Sequence, residues 1–297
     1  MAQESPNSGA AASAPIAGIG LIVLACLCFA VLDATAKYLS ASVPTLQIVW
    51  LRFVSHVILS LVLFQVWKKP SLLTTRHPVL QLVRACCLLG TTIFNFLAVR
   101  HLQLAETMSI MFAGPFVITA LAGPMLGEWA GIRRWAAIIV GFLGVLVVTQ
   151  PGLGGMHWAA IYSVVAMTFY ALYALLTRQL TATDSSAGML ILSGLIAAVA
   201  MTPAGLSVWE TPKDAWTWVL LFATGALGGG GHFLFIMAHR IAPAPVLAPF
   251  IYIQIVWMIA LGYLIFADVP TISTLVGASI VVASGLYILY RERVKGI

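Results

Sequence analysis

The chain has 297 residues, of which 61% are apolar and 8% charged, with a formal net charge of +6. Soluble domains carry about 25% charged residues, so this deficit excludes a soluble globular protein and indicates a polytopic membrane protein. The positive residues sit between apolar runs and not on one solvated face, which excludes a nucleic-acid-binding surface.

Residues Met1 to Pro15 are rich in Ala, Ser and Pro and lack a basic n-region. They are expected to be a disordered tail, since the apolar run that follows is too long for a cleaved signal. Ten apolar spans then follow: Ile16–Leu39, Thr45–Trp67, Val79–Val99, Leu104–Met125, Arg134–Val148, His157–Gln179, Ala187–Ser207, Trp216–His239, Ala244–Phe266 and Ile272–Tyr290. A helix of about 20 residues crosses a hydrocarbon core of about 30 Å. Unbroken runs of Leu, Ala, Val and Ile predict helices, because barrel strands alternate in polarity. Connectors are short, so no separate domain outside the bilayer is expected. Cys26, Cys28, Cys86 and Cys87 all lie inside apolar runs and read as small buried hydrophobes.

The loops set the orientation. With the N-terminus in the cytoplasm, the inner segments carry Lys68, Lys69, Arg76, Arg84, Arg133, Arg134, Arg178, Arg240, Arg291, Arg293 and Lys295. The outer ones keep Lys37, Arg100 and Lys213. Eleven against three predicts cytoplasmic N- and C-termini, with residues 291–297 as a basic cytoplasmic tail.

A constant shift of 140 residues aligns the chain with itself. It pairs Phe29 with Phe169, Leu32 with Leu172, Gly90 with Gly230, Ala98 with Ala238 and Leu121 with Leu261. It also sets Glu128 against Asp268, each at the turn after the fourth span of its unit. Each unit, 16–150 and 157–290, has five spans, an odd number, so the second enters the membrane upside down. The predicted fold is therefore an all-α polytopic membrane protein: ten transmembrane helices as two inverted five-helix repeats. Inverted repeats mark alternating-access transporters.

Ionisable groups inside a membrane are costly to bury, so they are functional candidates. Asp33 and Lys37 lie four residues apart on one face of the first span, and Arg52 and His56 do the same on the second. Asp33 and Arg52 fall at similar depth, about 10 Å from the outer end at about 1.5 Å per residue. Two readings stay open: a structural ion pair between neighbouring helices, or contact with a charged or zwitterionic substrate. Glu106, near Arg100 and His101, is either part of a hydrated outer cluster or a coupling carboxylate.

Pro115 removes a backbone donor in mid-span, which is tolerated where protein or a cavity satisfies the freed carbonyl. Pro243, Pro245 and Pro249 head the ninth span, with Tyr252 and Gln254 about a turn further on. Gln254 is either a helix–helix hydrogen bond or a substrate contact. The run Gly225, Gly228 to Gly231 precedes His232 without a following Lys-Ser/Thr, so it is no phosphate loop; close helix approach or a bend at a cavity explains it. Asn95, Met111, Phe112, Tyr173 and Trp257 complete the pathway candidates, with packing as the alternative for each aromatic. Trp67, Trp129, Trp158, Trp209 and Trp216 fall at span ends as an interfacial belt.

These residues resemble the ten-helix, EamA-domain members of the drug/metabolite transporter superfamily. The resemblance rests on Ala98, Pro115, Leu126-Gly127-Glu128 and Gly141/Gly144, with Lys37 and Arg52 in the first two spans. In the second unit Ile255 replaces the central proline, Asp268 the glutamate, and Ser284-Gly285 lies near the last glycine. It implies a carrier of small organic metabolites, above all an exporter of amino acids including apolar and aromatic ones. The superfamily also holds importers and nucleotide-sugar carriers. Spans one, three, four, six, eight and nine are implied to line the cavity. No ATP-binding motif, His-Glu-x-x-His arrangement or filter-like loop is present, Ser193-Gly194 lacks the preceding glycine of a Gly-x-Ser-x site and the histidines are scattered, so a non-enzyme working on gradients is expected. The expected partners are a small-molecule substrate and the lipid bilayer, with no nucleic acid; no catalytic residue, cofactor or metal is expected, and the chain suits a monomer or homodimer.

Overall fold

The computed structural model describes residues 8–126, 131–150, 157–180, 183–241 and 250–295. Gly127, Glu128, Trp129, Pro243, Pro245 and Pro249 lie outside them, as does the side chain of Pro115. The chain order is α1 (Ser8–Leu39), α2 (Thr45–Leu63), α3 (Pro78–His101), α4 (Leu104–Met111), α5 (Gly114–Leu126), α6 (Ile132–Thr149), α7 (Ala160–Leu180), α8 (Ser186–Ser207), α9 (Ala215–Ile241), α10 (Ile253–Phe266) and α11 (Ile272–Lys295). α1 begins within the stretch that composition assigns to a tail. Two short 3-10 turns, Val66–Lys68 and Pro70–Leu73, join α2 to α3.

The predicted fourth span is two helices. α4 stops after Met111 and α5 starts at Gly114, with Phe112 and Ala113 as the break and Pro115 directly behind it. The ninth span is broken at Tyr252. Position 252 is position 112 moved by the repeat shift, so the two breaks are equivalent points of the two units. Six described helices are long and apolar enough to cross a membrane. Their outward faces carry exposed Leu63, Val199 and Leu264, as a lipid-facing surface requires.

Helix packing follows a pseudo-twofold. α1 packs along α9 as its counterpart α7 packs along α3. Pairs that the axis maps onto themselves also meet: α2 with α8, α4 with α10, and α6 with α11. The close approaches are made by glycine. Phe169 lies over Gly90, where a Cβ would sit 2.9 Å from its ring, and Phe29 lies over Gly231 at 2.7 Å. Between α6 and α11, a Cβ on Gly144 would meet the Gly277 carbonyl at 2.9 Å, and one on Gly277 the Gly144 carbonyl at 2.6 Å.

One residue leaves the loop charges. Arg84 is 3% exposed in the second turn of α3, inside the bundle, and not in an inner loop. Its side chain turns inward because α7 and α8 offer hydrogen-bond acceptors there.

Candidate functional site

Two breaks and the crossing of α1, α3, α7 and α9 leave a cavity of about 400 Å³ inside the bundle. Its walls come from α1, α3, α4, α5, α7, α9 and α10, which are spans one, three, four, six, eight and nine. Arg52 from α2 and Gly285 from α11 add to them. Most of the lining is aromatic and aliphatic, including Phe29, Phe96, Tyr170 and Met258.

The charged groups are few and specifically held. Asp33 is buried, and Asn95 donates its Nδ2 to Asp33 Oδ1 at 2.9 Å. Arg52 is 5% exposed and its Nε and Nη1 meet no acceptor among the described residues. Its guanidinium rests on the Phe53 and Phe96 rings, 4.6 and 6.0 Å from their centroids. Asp33 and Arg52 are near neighbours but do not close the ion pair that is one of the two readings of their equal depth. The ion pair found among the described residues is Lys37–Asp268.

The glycine run in α9 explains how α2 brings Arg52 inward. A Cβ at Gly228 would lie 3.1 Å from Arg52 Nη2, and one at Gly229 3.0 Å from His56 Nδ1. At Gly225 a Cβ would meet the His56 backbone nitrogen at 2.6 Å. Three glycines of α9 therefore form a smooth trough for the polar face of α2. His232, at the end of the run, sets its ring edge-on to Phe29 at 5.0 Å and lines the cavity.

Of the residues singled out in the sequence, Asp33, Arg52, Asn95, Met111, Phe112, Tyr173, His232, Tyr252 and Gln254 line this one cavity. Phe112 and Tyr252 meet edge to face, with ring centroids 4.9 Å apart. Lys37 lies elsewhere, at the end of α1, where its Nζ reaches Asp268 Oδ2 at 2.6 Å and the Leu102 carbonyl at 3.0 Å. Ala267 adopts a left-handed conformation (φ 54°) that turns the chain after α10 and brings Asp268 to it. Glu106 sits half-buried in the first turn of α4. Trp257 packs against the cluster of Ala34, Val99 and Met258 and is not itself among the lining residues.

Sequence reading passed over Phe29, Tyr170 and Arg84. The repeat shift flagged Phe29 as a paired position. Arg84 carries a signal too, an arginine within the third apolar span, although the charge tally counts it with the inner segments.

A model of the EamA-like transporter family matches residues 16–150 and again 157–290. An S-adenosylmethionine uptake transporter of Rickettsia bellii is 29% identical over 278 residues, covering 93% of this chain and 94% of the relative. A riboflavin transporter of Vibrio cholerae is 23% identical over 284 residues, 95% of each chain. A pseudopaline exporter of Pseudomonas aeruginosa is 26% identical over 271 residues, covering 90% of this chain and 94% of the relative. A chain of known crystal structure superposes with a TM-score of 0.62 at 16% identity, covering 96% of this chain and 99% of that one, which shows the fold. This chain belongs to the EamA-like transporter family and is an integral membrane transporter of small metabolites.

Proposed function

We propose that the chain carries, by alternating access across a bacterial inner membrane, a metabolite with an amino-acid end and an aromatic heterocycle, of the S-adenosylmethionine type. The observation that carries this reading is the pair Asp33 and Arg52: opposite charges lining one mostly apolar cavity, with Arg52 Nε and Nη1 lacking an acceptor among the described residues. A buried cation of that kind calls for an anion, and a substrate carboxylate supplies one. Asp33 then faces the substrate ammonium, and the Phe29, Phe112, Tyr170 and Tyr252 rings take the planar portion.

The family resemblance implies amino-acid export. The cavity supports a larger solute that keeps the amino-acid end, because about 400 Å³ falls within the roughly 300–1,000 Å³ of pockets that enclose drug-sized ligands. The relatives named for S-adenosylmethionine uptake support the same class and favour uptake. With Arg84 removed from the loop tally, ten basic residues against three still favour cytoplasmic termini.

The test is uptake of labelled S-adenosylmethionine by proteoliposomes, with and without an imposed pH gradient, and with methionine, S-adenosylhomocysteine and riboflavin as competitors. Saturable uptake that S-adenosylhomocysteine blocks better than methionine supports the reading. Uptake blocked by riboflavin alone, or none at all, overturns it.

A further inference from the structure

Arg84 is a buried cation whose acceptors are all neutral. Its Nε donates to Thr177 Oγ1 at 2.7 Å, its Nη1 to Ser193 Oγ at 2.6 Å and the Met189 carbonyl at 3.2 Å, and its Nη2 to the Tyr173 hydroxyl at 3.0 Å. Among the described residues no carboxylate reaches it within 4.0 Å. A neutral donor would tie α3 to α7 and α8 with less desolvation. The charge needs another reason, and Tyr173 supplies one.

Tyr173 is the member of this network that lines the cavity. Its hydroxyl oxygen is occupied as an acceptor, and its own proton has no acceptor among the described residues. A phenol that accepts from a guanidinium is polarised and donates more strongly. The guanidinium also lies 4.7 Å from the Tyr173 ring centroid, and Thr177, bonded to Arg84, donates back to the Tyr173 carbonyl at 2.6 Å. Ring and backbone are thus held by the same cation. Ser193 is locked as well, since its hydroxyl donates to the Met189 carbonyl at 2.7 Å.

We infer that Arg84 is a positioning residue for transport: it fixes and polarises the Tyr173 hydroxyl as a second donor, beside Arg52, for the substrate carboxylate. This rests on the substrate reading above. It makes carboxylate recognition a two-donor site, one charged and in direct contact, one neutral and strengthened from behind.

The test is a double-mutant cycle of Arg84→Gln and Tyr173→Phe in proteoliposomes, comparing S-adenosylmethionine with its decarboxylated analogue. Each single variant should raise KM for S-adenosylmethionine roughly tenfold or more, as a lost hydrogen bond to a charged group does, with maximal flux nearly kept. Neither should change KM for the decarboxylated analogue. Adding Arg84→Gln to Tyr173→Phe should have little further effect, and Arg84→Lys should restore part of the loss. If Arg84→Gln costs as much in the Tyr173→Phe background as in the wild type, or weakens both probes equally, its role is structural and the inference falls. Should Arg84→Gln lose its monodisperse elution, Tyr173→Phe alone decides: an unchanged KM for S-adenosylmethionine overturns the proposal, and a rise confined to that probe supports it. Wild-type protein that takes up neither probe overturns the substrate reading together with this one.

Discussion

Phe112 and Tyr252 occupy the same place in the two repeats and touch each other, their rings edge to face at 4.9 Å and 76°. Each sits where its span is broken, so the pseudo-twofold passes between the two helix breaks. Edge-to-face contact holds the rings without interlocking them. Breaks of this kind are where one repeat bends against the other in inverted-repeat carriers.

The first prediction concerns Gly285, whose place a Cβ cannot share with the Tyr252 hydroxyl. Gly285→Ala therefore pushes Tyr252 off Phe112 and into the cavity. Uptake should fall by about tenfold, with expression and elution unchanged. Tyr252→Phe removes the clashing oxygen and should recover part of the rate in the double variant. No recovery, or loss of folded protein, would show that Gly285 serves packing of α11 alone.

A second prediction follows from Lys37. Its ammonium is tied to Asp268, to the Leu102 carbonyl, and lies 4.7 Å from the Phe266 ring centroid, so it joins α1, the α3–α4 turn and the end of α10. The repeat shift puts Thr177 where Lys37 stands, so the equivalent residue of the second unit carries no charge of its own. Lys37→Met should free α1 from α10 on this face, at a cost of about 1–2 kcal/mol, which is a roughly 5- to 30-fold change in population. Cys26 lines the cavity and can report it. With Cys28, Cys86 and Cys87 replaced by Ser, labelling of Cys26 by an impermeant thiol reagent from the Lys37 face should quicken in Lys37→Met and not in Lys37→Arg. Equal rates in both would remove Lys37 from gating.

The two-repeat fold is legible because membrane spans are written in continuous apolar runs, and because Phe29, Leu32 and Gly90 recur 140 residues on. The cavity residues Asp33, Arg52 and His232 were legible for one reason: charge inside a lipid-spanning segment is rarely idle. Partners were not. Lys37 bonds a residue 231 positions away, and Asp33 takes Asn95 from α3 and not Arg52 at matching depth. Depth along a helix gives one coordinate, whereas rotation about the axis decides who meets. Arg84 shows the same limit from the other side. The charge tally counts it with the inner segments, and the acceptors on α7 and α8 that draw it inward have no sequence mark.

Acid should loosen one face selectively. Asp184 lies between α7 and α8, outside the spans, and accepts hydrogen bonds from the Thr75 hydroxyl and, at 3.3 Å, from the Arg76 backbone N–H. Burial pushes its pKa up, but hydrogen bonds from Thr75, Arg76 and Thr183 and the nearby His77 together outweigh it and hold the carboxyl below its ordinary value. A depressed folded pKa contributes stability above the unfolded value, near about 3.9, and loses it as pH falls through the folded one. Wild type should therefore melt above Asp184→Asn at pH 7, and the gap should close as pH falls below the ordinary carboxylate range and through the folded pKa. A gap that persists in acid would mean that shape, and not charge, makes the tie.

The glycines of α9 give the sharpest contrast, because neighbouring positions should respond with opposite signs. A Cβ at Gly225 meets the His56 backbone nitrogen, which cannot swing aside as a side chain can. Gly225→Ala should destabilise the protein by about 1–3 kcal/mol through overpacking against α2. At Gly230 nothing lies within 4 Å of the added atom. There the gain in helix propensity is unopposed, and Gly230→Ala should stabilise by about 0.5–1 kcal/mol. Gly229 falls between, since its neighbour at 3.0 Å is the His56 ring, which can rotate. Thermal unfolding of the three variants in one detergent should rank them Gly230→Ala, wild type, Gly229→Ala, Gly225→Ala. The trough also aims Arg52, so Gly225→Ala and Gly229→Ala should raise KM for uptake whereas Gly230→Ala leaves it unchanged. A uniform loss across all three would mean that the run gives flexibility to α9 and not room for α2.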